Sequence, residues 1–169
     1  MYAIFLNKSF PKKVERVLTH KKTDFTQLHN VARILNACGK DMARKYDLHH
    51  WDNPYLKSLI IAVICFMKNQ TWLVYDDEKA VATFMTKVVG EGLHFEKLGT
   101  DPTQEKKGIG TYCIDQIESI ARNHNCKKVY MEVYEPSKHA ISFYEHRGYQ
   151  IVGNTGTLKY KEVKMEKSL

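Results

Sequence analysis

Apolar residues change their spacing several times along this chain, and each change marks an element. Phe25, Leu28, Val31, Ile34, Leu35, Cys38, Met42 and Tyr46 recur at the intervals that place side chains on one face of a helix. Asp24 with Gln27 fits an N-terminal capping arrangement, and Gly39 marks a break or kink. Residues 47–54 read as a loop. Asn53 as N-cap, followed by Pro54 in the first helical position, opens a second helix reaching about Met67. The pattern then alternates. Residues 71–75 and 80–89 predict a hairpin, Gly90 to Gly92 a turn, and residues 93–100 a further strand. Ile109, Tyr112, Cys113, Ile117, Ile120 and Ala121 restore the helical period over 111–124. Val129, Met131 and Val133 make one side of a strand over 127–134. Pro136 and Ser137 open another helix through Ala140, Phe143 and Tyr144, stopped by Gly148; residues 149–152 and 158–165 close as strands. At the start, residues 1–13 hold a short apolar run and a break, and residues 14–19 read as a first strand. The order predicts a mixed α/β fold without internal repeat or linker, and one domain over 1–169.

Between the strand at 93–98 and the helix that follows lies Asp101-Pro-Thr-Gln-Glu-Lys-Lys-Gly-Ile-Gly-Thr-Tyr112. Gly108 and Gly110 lack a Cβ, so a ligand can come close to the backbone and positive φ costs little. A glycine turn that opens a helix points its N–H groups outward at the positive end of the helix dipole. That is an anion site suited to a phosphate.

Composition narrows the class without naming the ligand. The formal charge of +7, concentrated around Lys8 to Lys22 and Lys159 to Lys167, favours an acidic partner such as nucleic acid or a phosphorylated cofactor, although a charge run is also what a solvated face carries. Cys38, Cys65, Cys113 and Cys126 are far apart, with no C-x-x-C pair, so neither a zinc site nor a disulfide framework is expected. Buried reduced thiols and a cytoplasmic location are the expectation. The N-terminus lacks the basic region of a signal peptide, and the apolar run 59–67 is under half the ~20 residues of a membrane span. Adjacent His49 and His50 do not make a metal site, having no acidic partner at ligand spacing.

At these residues the chain resembles the GCN5-related N-acetyltransferase superfamily. Glu105-Lys-Lys-Gly108-Ile-Gly110, after Thr100-Asp101-Pro102, is similar to the family's Gln/Arg-x-x-Gly-x-Gly/Ala turn and its preceding Val-x-Pro. Ser137-Lys-His-Ala140-Ile-Ser-Phe143-Tyr144-Glu145-His-Arg-Gly148-Tyr149 is similar to its Asn-x-x-Ala-x-x-Phe-Tyr-Glu-x-x-Gly-Phe. Two departures stand out: Glu105 brings a carboxylate where a pyrophosphate would bind, and Ser137 replaces an Asn that contacts the pantetheine arm. The resemblance implies a single-domain fold whose central sheet is mixed, mostly antiparallel and built of about six to seven strands with about four flanking helices, the cofactor core spanning about 93–152.

It also implies acetyl-CoA as donor and a primary amine as acceptor, with direct attack through a tetrahedral intermediate. Glu105, Lys106, Lys107, Gly108, Ile109, Gly110 and Thr111 would grip the pyrophosphate. Leu98 and Thr100 would pair with the peptide-like pantetheine as an added strand does, and the Leu98 N–H would hold the oxyanion. Ser137 and Ala140 border the arm, and Tyr144 is implied as the proton donor to the leaving thiolate. A lysine-like amine near pKa ~10.4 must lose a proton before it attacks. His94 and Glu96, two apart and therefore on one strand face, are the candidate bases, or else an exposed histidine and a surface carboxylate. Tyr46, His49, His50, Trp51 and Tyr55 read either as an acceptor wall or as anchors of a loop. Two other readings stay open: an acyl-CoA-binding module without turnover, and a nucleic-acid- or ribosome-associated protein. No basic motif interleaved with aromatics favours the latter. No membrane partner is expected, and a homodimer through the C-terminal strand is left open.

Overall fold

The computed structural model describes residues 17–169. The elements run β1 (Leu18–Lys22), α1 (Leu28–Tyr46), α2 (Tyr55–Lys68), β2 (Gln70–Asp76), β3 (Lys79–Val89), β4 (Gly92–Thr100), α3 (Ile109–Asn123), β5 (Lys128–Tyr134), α4 (Lys138–His146), β6 (Gln150–Gly156) and β7 (Lys161–Ser168). The described strands form one seven-stranded sheet in the order β1-β2-β3-β4-β5-β7-β6. Every neighbouring pair is antiparallel except β4 and β5, which run parallel across the α3 crossover. This is the mixed, mostly antiparallel sheet with four helices that the resemblance implies.

Helices cover both faces. Ile109, Cys113 and Ile117 of α3 and Tyr144 of α4 pack with Phe84, Phe95, Met131 and Met165 of the sheet. On the opposite face Val31, Ile34 and Leu35 of α1 and Ala62 of α2 meet Leu73 and Met85. Strand β3 lies under both layers, so residues 80–86 are buried without alternation. Fully burying side chains such as Phe84, Met85 or Ile117 stabilises the fold by roughly 1.5–3 kcal/mol each.

Several local expectations shift. The first described strand, Leu18–Lys22, overlaps the expected 14–19 at Leu18 and Thr19 and runs on past it, and positions 1–16 fall outside the described residues. Asp24 caps a short 3₁₀ turn at Phe25–Gln27 by accepting from the Thr26 N–H (2.9 Å). Gln27 does not complete a capping box; its side chain accepts from the Tyr75 hydroxyl (3.1 Å). Gly39 neither breaks nor kinks α1. A Cβ there would lie 2.0 Å from the Trp51 carbonyl oxygen, so glycine is what lets the 49–51 turn close on the helix. Pro54, not Asn53, occupies the cap position of α2, and the Asn53 carbonyl instead accepts from the Asn36 side chain (2.7 Å). Helix α3 begins at Ile109, the first residue of its apolar stripe and two residues before the expected start at 111. Strand β6 runs on to Gly156, longer than the expected 149–152, and β7 lies three residues later than the expected 158–165, at Lys161–Ser168.

Candidate active site

Strands β4 and β5 pair only at Gly92, Leu93 and His94 against Lys128, Val129 and Tyr130. Beyond those positions both strands continue, β4 to Thr100 and β5 to Tyr134, without pairing. A wedge opens between them, and a cavity of about 470 Å³ fills it. That volume is in the range of small-molecule sites.

A bulge shapes the β4 wall. Met85 faces Glu96 while Thr83 faces Gly99, so β4 carries one extra residue, and Lys97 takes left-handed φ (53°). Strict alternation after Phe95 would send Lys97 into the α3 core. The bulge places Leu98 against that core and stations the Lys97 ammonium 5.2 Å from the centre of the Trp51 ring. Gly99 then faces Leu35 and Cys38 of α1.

The mouth of the wedge ends at the glycine turn. Gly108 holds left-handed φ (75°) with open space where a Cβ would stand, and Lys106 is also left-handed (58°). The first bond of α3 runs from the Tyr112 N–H to the Gly108 carbonyl (2.9 Å), leaving the N–H groups of Ile109, Gly110 and Thr111 without helical acceptors. A Cβ on Gly110 would meet the Phe143 ring at 3.4 Å, so glycine allows α3 and α4 to close together here. Asp101 anchors the turn. It is buried, accepts from the Thr103 N–H (3.0 Å) and hydroxyl (2.7 Å), and pairs with Arg33 (3.3 Å) and Lys79 (3.5 Å). Burial alone would raise its carboxyl, but the Thr103 hydrogen bonds and the two cations hold it below the usual carboxylate range.

Glu105 does not confront the turn as a bare charge. Lys45 of α1 hydrogen-bonds its carboxylate and also reaches Asp41 (2.9 Å). Ser137 is buried at the start of α4, its carbonyl accepting from Ala140 (2.9 Å). Ala140, Phe143 and Tyr144 bring the face of α4 to the cavity. Burial, reinforced by the neighbouring Cys113 and Cys38, pushes the Tyr144 phenol well up, so it stays protonated. The Cys38 thiol also borders the cavity, but burial lifts it to about 11 and leaves little thiolate. Cys113 is enclosed in the core and pushed up to about 12.

His94 and Glu96 share the β4 face turned from α3. Glu96 lines the cavity and accepts from the Asn69 amide (2.8 Å). His94 stands behind the wall, its Nε2 2.6 Å from Glu132 Oε2, and Glu132 is the member of that pair that reaches the cavity. From the 46–55 segment, Tyr46, His50 and Trp51 line the cavity, whereas His49 engages Asp47 (2.9 Å) and Tyr55 bonds the His29 carbonyl (3.4 Å). Tyr46 stacks on His139 at 4.0 Å. Sequence reasoning missed Lys97, Glu132, Tyr134, Tyr160 and Glu162. The outward-facing alternation of β5 and β7 was the available signal, but it gave no reason to single these positions out.

The site is thus an α/β sheet whose one parallel pair splays beside a glycine-capped helix. The sequence pattern of the acetyltransferase (GNAT) family matches residues 31–149, and the chain belongs to that family. Its relatives include the uncharacterized protein YxbD of Bacillus subtilis, 27% identical over 112 residues, which covers 66% of this chain and 69% of that one. Among solved structures, the PaiA N-acetyltransferase of Thermoplasma acidophilum in complex with coenzyme A matches with a TM-score of 0.72 at 15% identity, covering 90% of this chain and 99% of that one. An acetyltransferase from Thermus thermophilus matches at 0.73 and 13% identity, covering 90% and 97%. These structural likenesses are likenesses of fold.

Proposed function

We propose that the protein is an acetyl-CoA-dependent N-acetyltransferase that acetylates a primary amine by direct attack. The observation that carries this reading is the loss of β4–β5 pairing after His94 and Tyr130, directly above the uncapped end of α3. A peptide-like arm fits the exposed edge of β4 as an added strand, with Leu98 and Thr100 supplying backbone groups. Residues 105–111 then offer N–H groups to a pyrophosphate, with Lys106 and Lys107 alongside. The Lys45 pairing of Glu105 removes the chief objection to an anion there. The Thermoplasma relative binds coenzyme A, in keeping with this assignment.

Bound acetyl-CoA supplies the thioester carbonyl and the thiolate leaving group. The chain supplies the rest. The Leu98 N–H is the preorganised donor for the developing oxyanion. Glu96, or Glu132 backed by His94, takes the proton that the amine must shed before its nitrogen forms the new C–N bond. The breaking C–S bond leaves a thiolate beside Tyr144, whose protonated phenol donates to it. Cys38 is a poor covalent nucleophile at its raised pKa, which favours direct attack over an acyl-enzyme.

Release of free coenzyme A over a panel of primary amines tests the reading. Turnover dependent on one class of amine is expected, and its absence with every amine, in protein that binds the coenzyme, would refute it.

A further inference from the structure

The acceptor end of the cavity carries a charge pattern that the reaction itself does not require. Five carboxylates line the whole cavity (Asp41, Glu96, Glu105, Glu132 and Glu162) against one ammonium, Lys97. Asp41 and Glu105 share Lys45 on the coenzyme side. The other three stand at the opposite end: Glu96 bonded by the Asn69 amide, Glu132 by His94, and Glu162 without an ion pair within 4.0 Å among the described residues. Glu162 lies directly across from Tyr134 in the β5–β7 register. Tyr134 stacks on Tyr160 at 4.7 Å, and His50 sits 4.2 Å from the Tyr134 ring. Ring faces beside carboxylates are the two surfaces that hold an organic ammonium, by cation–π attraction and by ion pairing.

We infer that this end of the cavity binds a second cationic centre on the acceptor, so that the preferred substrate is a diamine or polyamine acetylated at one end and held at the other between Glu162 and the Tyr134–Tyr160 stack. The inference rests on the acetyltransferase reading and narrows its acceptor. Supporting groups agree in sign. Burial, and then the nearby Glu132 charge, raises the Glu162 carboxyl above its usual range against the opposing pull of Lys97, as expected where negative charge is in excess. Burial, with Lys97 and His139 nearby, pushes His50 down to about 4, so it adds no positive charge at neutral pH. Lys97 already lies over the Trp51 ring, which shows the aromatic wall accommodating an ammonium. The acceptor nitrogen near β4 must be neutral to attack, while the distal one stays protonated and stays bound.

The test is calorimetric titration of putrescine, butylamine and β-alanine into protein saturated with coenzyme A, repeated with Glu162→Gln. Coenzyme binding is read first and separately, so a failed coenzyme site refutes the acetyltransferase reading, whereas the amine series judges only the acceptor. Putrescine is expected to bind about tenfold or more tightly than butylamine at low salt, and Glu162→Gln is expected to erase most of that advantage. Equal binding of the two amines, tighter binding of β-alanine, an undiminished advantage in Glu162→Gln, or no amine binding to a coenzyme-loaded protein would each overturn the inference. Circular dichroism of Glu162→Gln confirms that the variant is folded. If it is not, Tyr134→Leu provides the same comparison through the aromatic wall.

Discussion

Lys45 decides whether Glu105 opposes a phosphate. With its ammonium bonded to both Glu105 and Asp41, the carboxylate at the turn is paired rather than bare, which is what the proposed phosphate site requires. Replacing Lys45 with Met is therefore expected to weaken acetyl-CoA binding by about tenfold at low salt, and adding Glu105→Gln to restore most of it. Titrations of the wild type, Lys45→Met, Glu105→Gln and the double variant in a double-mutant cycle check this, and additive losses would contradict it. Tyr144 belongs to the same scale. Its raised pKa fits a hydrogen-bond donor that stays protonated throughout the working pH range. Tyr144→Phe is expected to lower kcat by about 10²-fold or more while leaving the coenzyme Kd within about twofold, since general-acid contributions span 10²–10⁴. Stopped-assay kinetics beside a binding isotherm separate the two.

At the scale of elements, the turn and the bulge do the positioning. Gly108→Ala puts a Cβ on a left-handed residue. It is expected to cost about 1 kcal/mol of stability and also to weaken coenzyme binding, because the new methyl fills space left open for the ligand. Gly39→Ala drives a Cβ onto the Trp51 carbonyl and is expected to cost about 3 kcal/mol in urea unfolding, as overpacking against backbone does. The two glycines were not equally legible. Gly108 and Gly110 announce a turn because they stand between a strand period and a helix period. Gly39 interrupts a helical stripe, so the sequence suggested a kink; its reason lies in a backbone carbonyl twelve residues away, which no local pattern carries. The β4 bulge was equally hidden. Residues 93–100 read as a plain strand, and only the register against β3 shows the extra residue that turns Lys97 toward Trp51. Tyr144, Ser137 and the 105–111 turn were legible because they sit in motifs. Tyr160 and Glu162 were not, since their place in the cavity comes from β7 pairing with β5 across more than twenty-five residues of chain.

Over the whole molecule, two titratable groups beside the sheet, the buried Asp101 and the half-buried His50, set its acid limit. Asp101 is depressed in the folded state, so its contribution is present above the unfolded pKa of ~3.9 and is lost as pH falls through the folded value. His50, depressed to about 4, adds stability that is full above its unfolded pKa of ~6.5 and declines as pH falls from there toward 4, because the unfolded chain binds the proton first. Thermal unfolding midpoints are thus expected to fall between pH 6.5 and 4 and to fall less steeply in that window for His50→Gln. A midpoint flat across the window would contradict the burial of His50. The helix on either side of β3, the splayed parallel pair and the glycine turn converge on one claim: the wedge between β4 and β5 is a coenzyme site. Calorimetric titration of acetyl-CoA, with the analogue lacking the 3′-phosphate for comparison, tests that claim most directly. The structure predicts one site per chain with micromolar affinity, ~8 kcal/mol, lost in a variant carrying Gly108→Ala and Gly110→Ala together. No binding at millimolar acetyl-CoA would contradict it.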